Sequence, residues 1–358
     1  MLRARKPARG LAALPLVLAV VATILLCLFP AVVSSPYTLH VMILIFLSVV
    51  QGESWNVLGG YTGQYSVGHA AYFGMGAYVT IMLLQFKGIA PWYGMWAAVA
   101  AAIVLGLVIG SITFRLRGPY FVLASIAVAE IIRLVTLNWK EVTNGAEGIL
   151  LSGVPPLKIG ETVITDWSSK VPFYYAGLAL AVLTILVNYA VQHSKLGYYF
   201  QAIREDQDAA HSLGIPLARY KNIALAISAF FTAWSGAFYG LYVGFVDPST
   251  VQTVEVSVSI VLICIIGGIG TILGPVVGSL VLVPLAEALR SNLIADGLFA
   301  LGLDPTSRTG LFLKENLAHA HVLIYGILVV VVILFMPDGV LGYVKAVTRK
   351  RATRTEAA

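Results

Sequence analysis

Long apolar runs, broken by short polar ones, set the pattern of this chain. Runs with at most two charges cover about residues 11–30, 37–58, 70–85, 92–114, 120–137, 172–191, 222–243, 256–266, 276–289 and 321–336. A helix needs roughly 20 apolar residues to cross a bilayer, and most of these runs are near that length. The pattern predicts an all-α polytopic membrane protein with about ten transmembrane helices, occupying residues 1–340. The two runs between residues 256 and 289 are the shortest.

The polar stretches divide the runs. Tyr199 to Gly214 reads YFQAIREDQDAAHSLG, with Arg204, Glu205, Asp206 and Asp208 close together. A charge at the centre of a membrane helix costs about 2.5 to 3.5 kcal/mol, so this stretch belongs in water. Its residues favour helix, and Gly214 followed by Pro216 supplies a stop. One short helix outside the membrane is expected, with Glu205, Asp206 and Asp208 in its earlier turns. Ala209 and Ala210 then form a small patch where another protein's backbone can approach. Residues 138–171 carry turn signals at Asn144-Gly145 and Pro155-Pro156 between short β-like runs, and with residues 290–320 they read as outer loops. Residues 341–358 are a basic tail. Arg3, Arg5, Lys6 and Arg9 before the first run also suit a signal peptide, but the run is long and no small-x-small site follows, so a retained first span is expected.

Composition agrees with the pattern. Of 358 residues, 59% are hydrophobic and 11% charged, against about 25% charged in soluble domains. The net charge of +6 is unevenly spread. Inner segments would hold fifteen Lys and Arg, and outer segments six: Lys87, Lys140, Lys158, Lys170, Arg308 and Lys314. That bias places residues 192–221 and both termini in the cytoplasm. Cys27 and Cys264 lie far apart in apolar runs, which speaks against a disulfide framework or a metal site.

Candidate chemistry is sparse. The chain has no G-x-x-x-x-G-K-[ST] loop and no close metal-ligand spacing, so neither a Walker ATP site nor a metal is expected. Residues 59–76 are glycine-rich, which permits either irregular backbone lining a wet pathway or close helix packing. The pathway candidates are Gln64, Ser66, Gly68, His69, Gly74 and Gly76, with Glu53 in the polar half of the second run. An intramembrane carboxylate is functional or internally paired. His69 either faces a pathway or satisfies its neighbours. Gly118-Pro119 before Glu130-x-x-Arg133 is echoed by Gly274-Pro275 before Glu287-x-x-Arg290, which suggests an internal repeat. Each Glu and Arg lie on one helix face and can pair locally.

Asp208-Ala209-Ala210-x-x-x-Gly214 resembles the Glu-Ala-Ala-x-x-x-Gly signature of ABC importer permeases, with Asp for Glu. SWNVLGGYTGQYSVGHAAYFGMGAYV, RLRGPYFVLASIAVAEIIRLVTLNW, LGYYFQAIREDQDAAHSLGIPLARYKNIALAISAFFTAWSGAFYG and IIGGIGTILGPVVGS further resemble LivM-type permeases of branched-chain amino acid ABC transporters. The resemblance implies an ABC importer permease fold in the inner membrane and no enzymatic activity. It makes Arg204, Glu205, Asp208, Ala209, Ala210 and Gly214 the coupling residues for an ATP-binding subunit. It also implies a second permease, two ATP-binding subunits that hold ATP and Mg, and an external solute-binding protein. A urea or short-chain amide importer is the alternative within the same architecture, and an ion-coupled carrier the alternative outside it.

Overall fold

A computed structural model describes residues 9–33, 35–159, 162–290, 326–327, 330, 334 and 339–342. Helices α1 (Arg9–Val32), α2 (Pro36–Trp55), α3 (His69–Lys87), α4 (Pro91–Thr113) and α5 (Pro119–Asn138) come first. A π-helical turn, Asn56–Tyr61, continues α2 without a break. Three of these helices open on proline, whose missing N–H falls where a helix has no internal acceptor. A short α6 (Lys140–Thr143) and strands β1 (Ile149–Leu150), β2 (Leu157–Ile159) and β3 (Thr162–Thr165) follow. Then come α7 (Lys170–Gln192), α8 (Lys195–Glu205), α9 (Gln207–Ser212), α10 (Leu217–Val243), β4 (Phe245–Val246), α11 (Pro248–Val251), α12 (Val254–Gly267) and α13 (Gly274–Arg290).

Among the described residues, six helical segments are long and apolar enough to cross a membrane: 36–61, 91–113, 119–138, 170–192, 217–243 and 248–267. The expected count of about ten is therefore met only in part. Val20–Val32 and Gly274–Ala288 are shorter apolar helices. The expected run at 321–336 and the loop at 290–320 lie almost wholly outside the described residues, as does most of the tail.

Helix α10 is the hub, packed against α3, α4 and α2. Its backbone touches that of α3: a β-carbon on Gly76 would stand 1.9 Å from the Ala233 carbonyl oxygen, and one on Gly236 1.9 Å from that of Phe73. Only glycine permits this approach. Ile43, Phe46, Tyr174, Leu178, Phe231 and Phe238 fill the core between α2, α7 and α10. By contrast, the most apolar windows of α4 and α5 are only 28% and 22% buried, against 72% for α2. Such greasy, outward-facing helices are compatible with lipid and not with water.

The 138–171 segment has short strands and the expected turn at Asn144-Gly145, whereas the chain at Pro155-Pro156 forms no defined turn. Asn144 and Gly145 both take positive φ, and the Asn144 side chain donates to the Gly148 carbonyl at 2.7 Å. Strands β2 and β3 form a hairpin, while β1 pairs antiparallel with β4 through Ile149↔Val246. That second pairing clips the segment to the end of α10.

Candidate coupling elbow and buried loop

Between α7 and α10 the chain makes an elbow. Ser194 caps α8 by accepting the Leu196 N–H, and α8 buries Gly197, Phe200 and Ile203 while leaving Tyr198 and Glu205 exposed. The single helix expected over 199–214 is in fact two. Asp206 is extended (φ −154°, ψ 116°), and its Oδ1 accepts the N–H groups of Asp208 (2.8 Å) and Ala209 (3.0 Å), so it caps a new helix, α9. Aspartate competes for local backbone donors in this way, which outweighs the helix-forming residues around it. Gly214, at φ +84°, ends α9 as expected.

The small patch also differs from expectation. Ala209 is exposed, but Ala210 is only 2% exposed because that side of α9 rests on the chain itself. Lys221 on α10 holds α9 there through a 2.8 Å bond to Gln207 Oε1. The outward face is Asp208, Ala209, His211, Ser212 and Leu213, the last 82% exposed. Asp208 is clasped by Arg117 from the α4–α5 turn through two 2.9 Å bonds. That bidentate hydrogen bond, and the positive charge behind it, hold the Asp208 carboxyl below the usual carboxylate range and push Arg117 up. The pair is exposed, so its energetic worth is small. Arg204 is exposed as a residue, but its Nη1 reaches back to donate to the Gly60 carbonyl at 2.7 Å.

The residues proposed from sequence as a pathway are brought together, and they are buried. From Gly63 to Gly68 the backbone is irregular and threads between helices, which the membrane interior tolerates only where its polar groups find partners. Buried serines meet this need. Ser125 Oγ accepts the Val67 N–H and Ser257 Oγ accepts the Ala70 N–H, each at 2.9 Å, while the Ser66 carbonyl accepts Trp55 Nε1–H at 2.7 Å. His69 Nε2 pairs with Ser228 Oγ at 2.7 Å. Gln64 is 4% exposed and its Nε2 lies 3.4 Å from the Thr62 carbonyl. Gly68 abuts the Ser125 carbonyl, Gly74 the side chain of Gln252, and Gly76 the backbone of Ala233. A cavity of about 20 Å³ beside Ser66, Gly68 and Ser125 has room for about one water.

Glu53 faces α7. Its Oε2 accepts from Asn188 Nδ2 at 2.5 Å, and its Oε1 meets no donor among the described residues. On α5, Glu130 and Arg133 form the expected pair, with Oε2 and Nε 2.9 Å apart. The corresponding Arg290 side chain lies outside the described residues, so the echo is not completed. No group of three metal-ligating side chains occurs among the described residues. Sequence reading missed Arg117, Asn188, Ser125, Ser228 and Ser257, whose roles depend on partners far away in the chain.

Six membrane-length helical segments among the described residues, the hub α10 one of them, with a buried irregular loop between helices and an exposed charged elbow, define a multi-pass membrane protein. A family model described as "Branched-chain amino acid transport system / permease component" matches residues 37–332. The high-affinity branched-chain amino acid transport system permease protein LivM of Escherichia coli (strain K12) is 30% identical over 311 residues, covering 78% of this chain and 73% of that protein. LivM of Salmonella typhimurium is 30% identical over 302 residues, 75% of this chain and 70% of that one. The high-affinity branched-chain amino acid transport system permease protein LivH of Escherichia coli (strain K12) is 25% identical over 322 residues, 83% of this chain and 94% of that one. No solved structure matches the chain significantly. The chain belongs to the family of LivM-type permeases of branched-chain amino acid ABC transporters.

Proposed function

We propose that this chain is a membrane-spanning permease subunit of an ATP-driven importer that takes up branched-chain amino acids delivered by an external solute-binding protein. The observation that carries this reading is the elbow: a capped, two-helix segment whose outward face, Asp208, Ala209, His211, Ser212 and Leu213, is open in a chain of this family. Its exposed leucine and small residues suit a groove on another protein. Two ATP-binding subunits, which hold ATP and Mg, press on the elbow, and a related permease forms the other half of the membrane domain. In this reading the elbow and both termini lie on the cytoplasmic face of the inner membrane, which the positive-inside bias supports.

Residues 62–76 contribute to the translocation route at the level where the irregular loop meets α5, α10 and α12. Reconstitution in vesicles with the sister permease, the ATP-binding subunits and the binding protein tests the reading. Leucine uptake should require both ATP and the binding protein. Uptake by this chain alone, driven by a proton or sodium gradient, would replace the importer with a carrier.

A further inference from the structure

Three segments meet at the end of α2 nearest the elbow. The π-helical turn closes a helix running from Pro36 to Tyr61, and its last carbonyls have no partner within the helix. Asn56 in that turn is stitched to the α12–α13 loop: its Nδ2 donates to the Thr271 carbonyl at 2.9 Å, and its Oδ1 accepts the Gly270 N–H at 2.8 Å. The third segment is the elbow. Arg204, in the last turn of α8, donates from Nη1 to the Gly60 carbonyl, where a cation also complements the negative end of the helix dipole.

The fit is close at the guanidinium, against Gly270, and again near the root of the side chain, against Gly63. Gly270 has φ +76°, and a β-carbon there would stand 2.3 Å from Arg204 Nη1 and 3.2 Å from the Gly60 oxygen. A β-carbon on Gly63 would meet Arg204 Cγ at 3.4 Å. The exposed Arg204 side chain therefore lays one guanidinium nitrogen between the π-helical turn and the α12–α13 loop, two residues before the break at Asp206. Elsewhere the elbow is held by apolar packing of Phe200 against Val57, Leu58 and Tyr61, and by polar contacts made by α9. Apolar contacts can slide. A charge-assisted hydrogen bond is directional and resists displacement.

We propose that Arg204 is the positioning residue that ties the elbow to the junction of α2 with the α12–α13 loop, so that displacement of the elbow moves the glycine-rich segments flanking residues 62–76. Arg204 thereby acts inside the chain and not on the ATP-binding partner. The proposal rests on the transport reading above. Its consequence is specific: breaking the tie should leave docking and ATP hydrolysis in place while transport is lost.

The test uses the full complex in vesicles, with labelled leucine uptake and ATP hydrolysis measured together. Arg204→Ala should lower uptake per ATP hydrolysed by roughly tenfold, the scale expected for loss of one hydrogen bond to a charged group. Gly270→Ala both crowds the guanidinium and strains a turn at φ +76°, so it should lower uptake at least as much, and adding Arg204→Ala to it should cost well under a further tenfold. Arg204→Lys should recover part of the uptake, since a point charge can still reach the Gly60 carbonyl. Uptake and hydrolysis falling in step, fully additive losses, or loss of the assembled complex in the Arg204 variants would overturn the proposal. A wild-type complex that does not take up leucine at the expense of ATP would instead overturn the functional reading, and this proposal with it.

Discussion

Glu53 illustrates what single residues disclose. As a carboxylate inside an apolar run it stands out in the sequence, but its partner Asn188 lies 135 positions away and carries no mark. The structure packs the two together between α2 and α7. Glu53→Ala leaves the Asn188 amide without its side-chain acceptor and should cost about 1–3 kcal/mol. Glu53→Gln keeps an acceptor oxygen and should cost less than about 1 kcal/mol, in line with the modest worth of hydrogen bonds between membrane helices. Unfolding midpoints of the two variants in detergent check this, and equal losses would show that the charge, not the pairing, matters. Ala210 carries the converse lesson. Its small side chain is equally compatible with a docking patch and with a packed contact, and only the fold reveals that it is the latter.

At the scale of elements, the spanning helices were legible. The runs at 92–114, 120–137 and 172–191 correspond to Pro91–Thr113, Pro119–Asn138 and Lys170–Gln192. Long uniform hydrophobicity and proline starts leave little room for error there. The second run, expected over 37–58, corresponds to Pro36–Tyr61, and its polar QGESWN stretch stays helical because Ser54 bonds the Val50 carbonyl, Trp55 the Ser66 carbonyl and Asn56 the α12–α13 loop. One element was not legible. The elbow's division depends on one aspartate. Asp206→Ala removes the cap of α9 and should cost about 1 kcal/mol locally. Hydrogen exchange at 208–212 should then speed up while the buried turns of α8 stay protected, and unchanged exchange across α9 would deny Asp206 this role.

For the molecule as a whole, the division of labour follows from packing. Helices α2 and α10 are buried and hold the irregular loop, α4 and α5 turn apolar faces outward, and α7 connects the β-strand segment at one end to the elbow at the other. The sequence discloses the alternation of greasy and polar segments and the charge bias, but not the long-range pairings. The serines that satisfy the loop, the β1–β4 clip and the Arg117–Asp208 clasp all join residues more than fifty positions apart. The central claim is that the elbow faces the cytoplasm and is covered there by a partner. Leu213→Cys tests it directly in a Cys27→Ser background, the chain's remaining cysteine, Cys264, being buried. A membrane-impermeant thiol reagent should label this position in inside-out vesicles, with labelling blocked when the ATP-binding subunits are present. Labelling from the outside of intact cells would contradict the account.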